Sequence, residues 1–236
     1  MKTLRNQSFF VLAALVTATT CCAQTAEDIV AKNLAAVGGK DVINATKSVV
    51  ITTNLEVMGN EVPSTTTVVT GKGFKNETEF NGTKIVQCVS DHGGWSINPM
   101  TGASTATAMS DEDVKAAQTQ LYPVPLANYT ANGGKVELLG DDTADFKVKL
   151  TTNTPLAVTY YINKKTYLID KADIHTTAQG QQIDATAVFS DYRKVDNGLL
   201  IPFKVERDMP QYSLSFNVQK VEVNKDIDPA VFEMPK

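Results

Sequence analysis

From Ser48 onward, apolar side chains recur at every second position. Val49, Ile51, Leu55 and Val57 share one phase, while Thr52, Asn54 and Glu56 share the other. That period of two predicts a strand with one face turned to an apolar interior. A turn at Gly59-Asn60 leads into a return strand from Thr65 to Thr70. Gly71-Lys72-Gly73 and Asn81-Gly82 then punctuate two more segments, Phe74 to Phe80 and Lys84 to Val89. His92-Gly93-Gly94 precedes a short strand, Trp95 to Asn98. Turns this brief admit only antiparallel neighbours, since a parallel link needs about a dozen residues or more. The alternation returns in Phe146, Val148 and Leu150, in Val158, Tyr160 and Ile162, and in Ile183, Ala185, Ala187 and Phe189. It continues through Leu199, Ile201, Phe203 and Val205, and through Tyr212, Leu214, Phe216 and Val218. Past Lys220 the apolar phase moves to Val221 and Val223, which predicts a bulge. About ten to eleven strands at this spacing predict a large, curved antiparallel sheet or a barrel.

Two stretches change the period. Thr25 can cap a helix whose first turn carries Glu27 and Asp28 near its positive end. Val30, Leu34 and Val37 line one face of it, and Gly38-Gly39 ends it, with Lys40 to Thr46 adding another turn or two. In mid-chain, Ser110-Asp111-Glu112-Asp113 reads as a second capped start. Val114, Ala117 and Leu121 form its apolar face, and Pro123 and Pro125 stop it. That face is narrow and rich in small residues, so the helix is expected to lie over something. The small, polar stretch from Pro99-Met100 to Met109 is expected to connect sheet to helix, and its methionines could adapt around a flexible ligand.

The chain's start adds a compartment. Lys2 and Arg5 precede an apolar run from Phe9 to Val16, and small residues follow up to Ala23. This pattern predicts a secretory signal peptide over residues 1–23, with Gln24 first in the exported chain. The run falls well short of the ~20 residues a spanning helix needs. A lipidated Cys21 or Cys22, which would tether the protein to a membrane, is the alternative. Residues 24–236 then hold one cysteine, Cys88, too few for an internal disulfide, and are expected to form one monomeric domain stabilised by its core. The whole chain carries a net charge of −4, and losing a basic leader makes the remainder more acidic. Without a basic cluster, nucleic acid is not an expected partner.

Candidate chemistry is thin. Ser90-Asp91-His92 has the residue types of a hydrolase triad, but neighbours on a strand point to opposite faces and cannot converge as one. Cys88, Asp91, His92 and His175 supply one short pair where a structural zinc site repeats such pairs. Cys88 reads better as a small buried hydrophobe. Asp141-Asp142, with Asp145, lacks the regular oxygen ligands of a calcium loop and reads as a solvated turn. No phosphate-cradling or dinucleotide motif occurs, so no cofactor or metal is expected. Trp95 is the only tryptophan and either lines a cavity or caps the core.

The order of elements, helix, strands, helical insert and strands again, resembles the LolA/LolB-like outer-membrane lipoprotein-sorting fold. Local phrases carry the resemblance further. They are Ala26-Glu27-Asp28-Ile29-Val30-Ala31-Lys32-Asn33-Leu34 leading into Val37-Gly38-Gly39, Tyr192-Arg193-Lys194-Val195-Asp196-Asn197-Gly198-Leu199-Leu200-Ile201-Pro202-Phe203, and the closing Ile227-Asp228-Pro229-Ala230-Val231-Phe232-Glu233-Met234-Pro235. The resemblance covers essentially all of residues 24–236. It implies an unclosed, half β-barrel whose N-terminal and mid-chain helices cover the concave face. One departure stands out: the early-strand arginine that latches the helical lid in periplasmic carriers has no counterpart, since residues 24–236 contain only Arg193 and Arg207.

The expected function is therefore non-enzymatic. An exported envelope protein, periplasmic or lipid-anchored, would carry or sense an apolar ligand such as a lipid or lipoprotein acyl chain, with inner- or outer-membrane proteins as possible partners. The expected cavity residues are Val49, Ile51, Leu55, Val57, Trp95, Ile97, Met100, Val114, Leu121, Phe146, Val148, Tyr160 and Ile162. Two other readings stay open. One is an interaction module of the same fold with a filled cleft; the other is a secreted hydrolase using dispersed acids or Ser90.

Overall fold

The computed structural model describes residues 24–57, 59–99, 102–131, 133–154, 156–178, 181–210 and 212–235. The predicted signal peptide, Cys21, Cys22 and Met100 lie outside them. Helix α1 (Ala26–Ala36) begins at the expected cap: Asp28 N donates to Thr25 Oγ1 at 3.1 Å, and Thr25 N donates to Asp28 Oδ2 at 3.2 Å. The reciprocal pair satisfies two backbone donors that the helix itself cannot. Gly38 then turns the chain at φ +137°, and α2 (Gly39–Ala45) follows. A side chain at Gly38 would be strained at that φ and would press on Val42 and the Gly198 carbonyl.

Strands β1 (Ser48–Val57), β2 (Asn60–Val69), β3 (Gly73–Phe80), β4 (Thr83–Ser90), β5 (Gly93–Asn98) and β6 (Ala103–Ala108) form a first antiparallel meander. Helix α3 (Asp111–Ala117) and a 3-10 turn (Gln118–Leu121) come next. A second meander runs through β7 (Lys135–Asp141), β8 (Asp145–Thr151), β9 (Ala157–Asn163), β10 (Ile169–Ala178), β11 (Gln181–Lys194), β12 (Leu200–Met209) and β13 (Tyr212–Val223). Among the described residues this makes thirteen strands, more than the ten or eleven expected. The additional strands include β6, whose Ala-Ser-Thr-Ala-Thr-Ala sequence alternates in nothing but side-chain size, in the stretch expected to be a connector.

The two meanders join at their sequence extremes, because β1 pairs with β13. The predicted bulge sits there: the register skips Gln219 between Lys220 and Val218, opposite Thr52 and Thr53. Joining in this way leaves β6 and β7 as the two opposite edges of an unclosed sheet. The segment connecting them must therefore pass from one rim to the other. Helix α3 does so, with Cα atoms within 8 Å of both β5 and β10. Those strands stand eight steps apart in the sheet, about 38 Å if the sheet were flat, whereas a seven-residue helix is about 10 Å long. The sheet must curl strongly to bring both within reach, and α3 lies across its concave side. This is the half-barrel with helices over the hollow that the element order predicts.

Packing follows the same plan. Ile29 and Val30 of α1 are buried with Val148, Leu150, Val158, Tyr160 and Ile162 on β8 and β9. Asn33 of α1, 1% exposed, donates from Nδ2 to the Tyr167 carbonyl at 2.7 Å, tying the helix to the β9–β10 turn. Ala117 and Leu121 close over Val89 and Phe74 at the other side. Between them Leu126, in the connection that follows, is completely buried in the α1 cluster.

Candidate functional site

Directly paired residues in an antiparallel sheet share a face, so the register assigns each side chain to a wall. Val49, Val68, Phe74 and Val89 lie in one row beneath the helical cover and define the inner face. Farther along β1, the next rows of that face read Ile51 opposite Val221, Thr53 opposite Val218, Leu55 opposite Phe216, and Val57 opposite Leu214. Phe216 in turn faces Val205, and Leu214 faces Arg207. Leu55, Val57, Val205, Leu214 and Phe216 are half-buried. None of them packs into any of the four buried hydrophobic clusters. They form an apolar wall that the sheet builds and the helices leave uncovered, toward the end that carries the β1–β2 and β12–β13 turns.

Beside this wall the inner face changes character. On β2 and β3, Asn76 Nδ2 donates to Ser64 Oγ at 3.1 Å and to Thr66 Oγ1 at 2.9 Å, and Ser64 Oγ and Thr78 Oγ1 lie 3.0 Å apart. Ser64 is 4% exposed, so the ladder satisfies its own polar atoms away from water. The hollow thus has an apolar strip flanked by a closed polar one.

The structure distributes the expected cavity residues over three settings. Ile51, Leu55 and Val57 stand on the open inner wall. Val49 and Leu121 are buried, Val114 packs against the cluster around Leu121, and Phe146, Val148, Tyr160 and Ile162 belong to the core under α1. Trp95 and Ile97 lie on the opposite, outer face, paired with Cys88 and Val86. There the C-terminal 3-10 turn (Pro229–Phe232) covers them. Trp95 Nε1 donates to the Phe232 carbonyl at 2.9 Å, and Cys88 Sγ contacts the same oxygen at 3.4 Å. Trp95 therefore caps an outer cluster instead of facing the hollow, because its phase is set by pairing with Cys88. A trough of about 810 Å³ runs beside it, lined from the α3 side by Met109 and Val114 and from the C-terminal side by Phe232 and Met234. It straddles the β4–β5 turn and is separate from the uncovered wall.

The groups weighed for chemistry occupy ordinary positions. Ser90 Oγ accepts from His92 N at 3.2 Å and donates to the Gly93 carbonyl, closing its own turn, while the His92 ring is 90% exposed, with Nε2 3.5 Å from Asp91 Oδ1. No side-chain contact between Ser90 and the His92 ring occurs among the described residues. Burial pushes the Cys88 thiol up to about 11, so the thiolate that reacts or binds metal is scarce at neutral pH. No group of three metal-ligating side chains occurs among the described residues. Asp142 Oδ1 accepts from Ala144 N and Asp145 N, which holds its pKa below the usual carboxylate value and makes the acidic cluster a self-bonded turn.

One residue escaped the sequence reading. On β1–β5, β12 and β13 the register puts every other charged strand residue on the outer face, several as pairs such as Lys75–Glu77, Lys204–Glu206 and Lys220–Glu222. Arg207 alone among the described residues of these strands points inward. The signal was available: Ile201, Phe203 and Val205 set an inward phase, and Arg207 is the next residue in it.

No family model matches the chain, and no curated protein matches it by sequence. Solved structures match it by shape. A LolA superfamily protein from Nitrosomonas europaea superposes with a TM-score of 0.60 at 12% identity, over 89% of this chain and 98% of that one. A domain from Vibrio parahaemolyticus assigned to outer membrane lipoprotein sorting gives 0.59 at 13% identity, over 88% and 97%. The chain has the LolA-like fold, in a divergent sequence.

Proposed function

We propose that this LolA-like protein is an exported envelope carrier or sensor that holds the acyl chain of a lipid or lipoprotein against its inner wall. The observation that carries the reading is the uncovered row of Leu55, Val57, Val205, Leu214 and Phe216. Apolar surface left open inside a hollow is costly in water, and each methylene covering it contributes about 0.8 kcal/mol. From Ile51 to Val57 the wall runs about 20 Å along the strand, enough for the acyl chain of one leaflet in a ~30 Å hydrocarbon core. The basic, apolar and small-residue order of the first 23 residues supports export, and the assignment of the Vibrio parahaemolyticus neighbour to lipoprotein sorting supports the ligand class. No helix among the described residues is long and apolar enough to cross a membrane.

The test is binding of a neutral fluorescent acyl probe to delipidated protein. Phe216→Asp is expected to weaken it by roughly tenfold or more, because the chain must then desolvate a carboxylate. Asn217→Asp, on the outer face of the same strand, is expected to leave it unchanged. Equal effects of the two substitutions, or no probe binding by the unsubstituted protein, would remove the proposal.

A further inference from the structure

Arg207 stands at the rim of the apolar wall, opposite Leu214 on β13 and Ala187 on β11. Its guanidinium lies 5.7 Å from the Phe216 ring. No carboxylate among the described residues is within ion-pairing distance of it. The neighbouring acids Glu206 and Asp208 occupy the outer face, where Lys204 and Ser213 engage them. The other arginine of the exported chain differs. Arg193 is held by Asp191 through Nε at 2.9 Å and Nη2 at 2.6 Å.

Arg207 remains solvent-exposed, yet the protein around it removes enough water to pull its pKa below the ordinary arginine value, with Tyr212 opposing. Both facts describe a side chain standing inside an open concavity. An arginine stays charged at neutral pH even so. A cation in such a place is partly stripped of water and has no carboxylate partner among the described residues, and an anion would supply those contacts, its two oxygens matching the guanidinium fork.

Resting on the wall reading above, we propose that the ligand is an anionic acyl lipid: its chain lies on Leu55, Val205 and Phe216, and its carboxylate or phosphate headgroup pairs with Arg207. The rim position gives the ligand a direction, with the charged end toward the β12–β13 turn and the tail running along the wall toward the helices. A neutral lipid would leave the guanidinium unpaired and bind less well.

Competition by dodecanoate, dodecyl phosphate and dodecanol against the neutral fluorescent probe tests this. The unsubstituted protein is expected to prefer both anions over the alcohol by about tenfold, the scale of one charge-assisted hydrogen-bonded pair. Arg207→Gln should erase that preference while leaving dodecanol affinity within about twofold, and Arg207→Lys should keep part of it. Acetate and inorganic phosphate, which lack a chain, should not compete. An Arg207→Gln protein that weakens for alcohol and anions alike would make Arg207 merely structural and overturn the inference. So would no preference in the unsubstituted protein, or competition by acetate or phosphate alone, which marks a small-anion site. Failure of all three chains to compete would overturn the wall reading and this inference together, whereas equal competition by all three overturns this inference alone.

Discussion

Truncating Leu126 to alanine is expected to cost about 2–5 kcal/mol of folding stability, the range for a fully buried leucine whose surroundings cannot collapse. The residue is 0% exposed and sits in the cluster built by α1, β8, β9 and β10, although it belongs to the irregular connection between α3 and β7. It is the point at which the crossing segment is nailed to the sheet. For a chain of this size the loss corresponds to a fall in Tm of roughly 5–15 °C, measurable by thermal unfolding followed in the far ultraviolet. Pro125, one residue earlier and exposed, serves as the comparison: Pro125→Ala should move the midpoint far less. A Leu126→Ala protein melting within about 2 °C of its parent would show that the connection is not anchored as described.

Gly73→Ala is expected to evict the C-terminal turn from the outer face. A Cβ at Gly73 would lie 2.7 Å from the Phe232 ring, with two further ring atoms at 2.8 Å, and a ring cannot yield by a rotamer change as a flexible chain end would. Overpacking of this kind costs about 1–3 kcal/mol. The eviction has its own reporter, since the single tryptophan donates to the Phe232 carbonyl and Cys88 is buried beneath it. Trp95 emission should shift to the red, and the slow native thiol should become reactive. Phe232→Ala should produce much of the same change, and the double substitution should cost less than the sum of the two, because both act on one contact. Unchanged emission and thiol reactivity in Gly73→Ala would refute this account of the strap.

Strand existence was legible wherever one wall is apolar and the other wet, as in Phe146–Leu150 or Ile201–Val205. It failed at β6, where small residues on both faces leave no contrast for a period of two to show, and at β10, where a register shift between Ile169 and Lys171 puts Ile169 out of phase with Ala172 and Ile174. Helices α1 and α3 were legible from caps and stripes, and α1 starts at the cap expected of Thr25. The candidate site was only partly legible. Apolar phase says which residues of one strand point together, but not toward which side of the molecule, and that is decided by pairing with strands far away in sequence. Ile51, Leu55 and Val57 share the hollow because Val49 in the same phase lies beneath the helices. Trp95, equally apolar, is carried to the other side by its pairing with Cys88. Leu126 lies in a connection with no period to read.

The pairing of β1 with β13 has a bearing on how the chain comes to be folded at all. Residues 212–223, the central neighbour of residues 48–57, are made long after them. Until then the first meander ends in a bare edge of ten residues, and no other strand among the described residues pairs there. Contacts so remote in sequence close slowly. The sheet therefore stays open along that strand until its distant partner arrives, and the curvature that makes the hollow is locked only then.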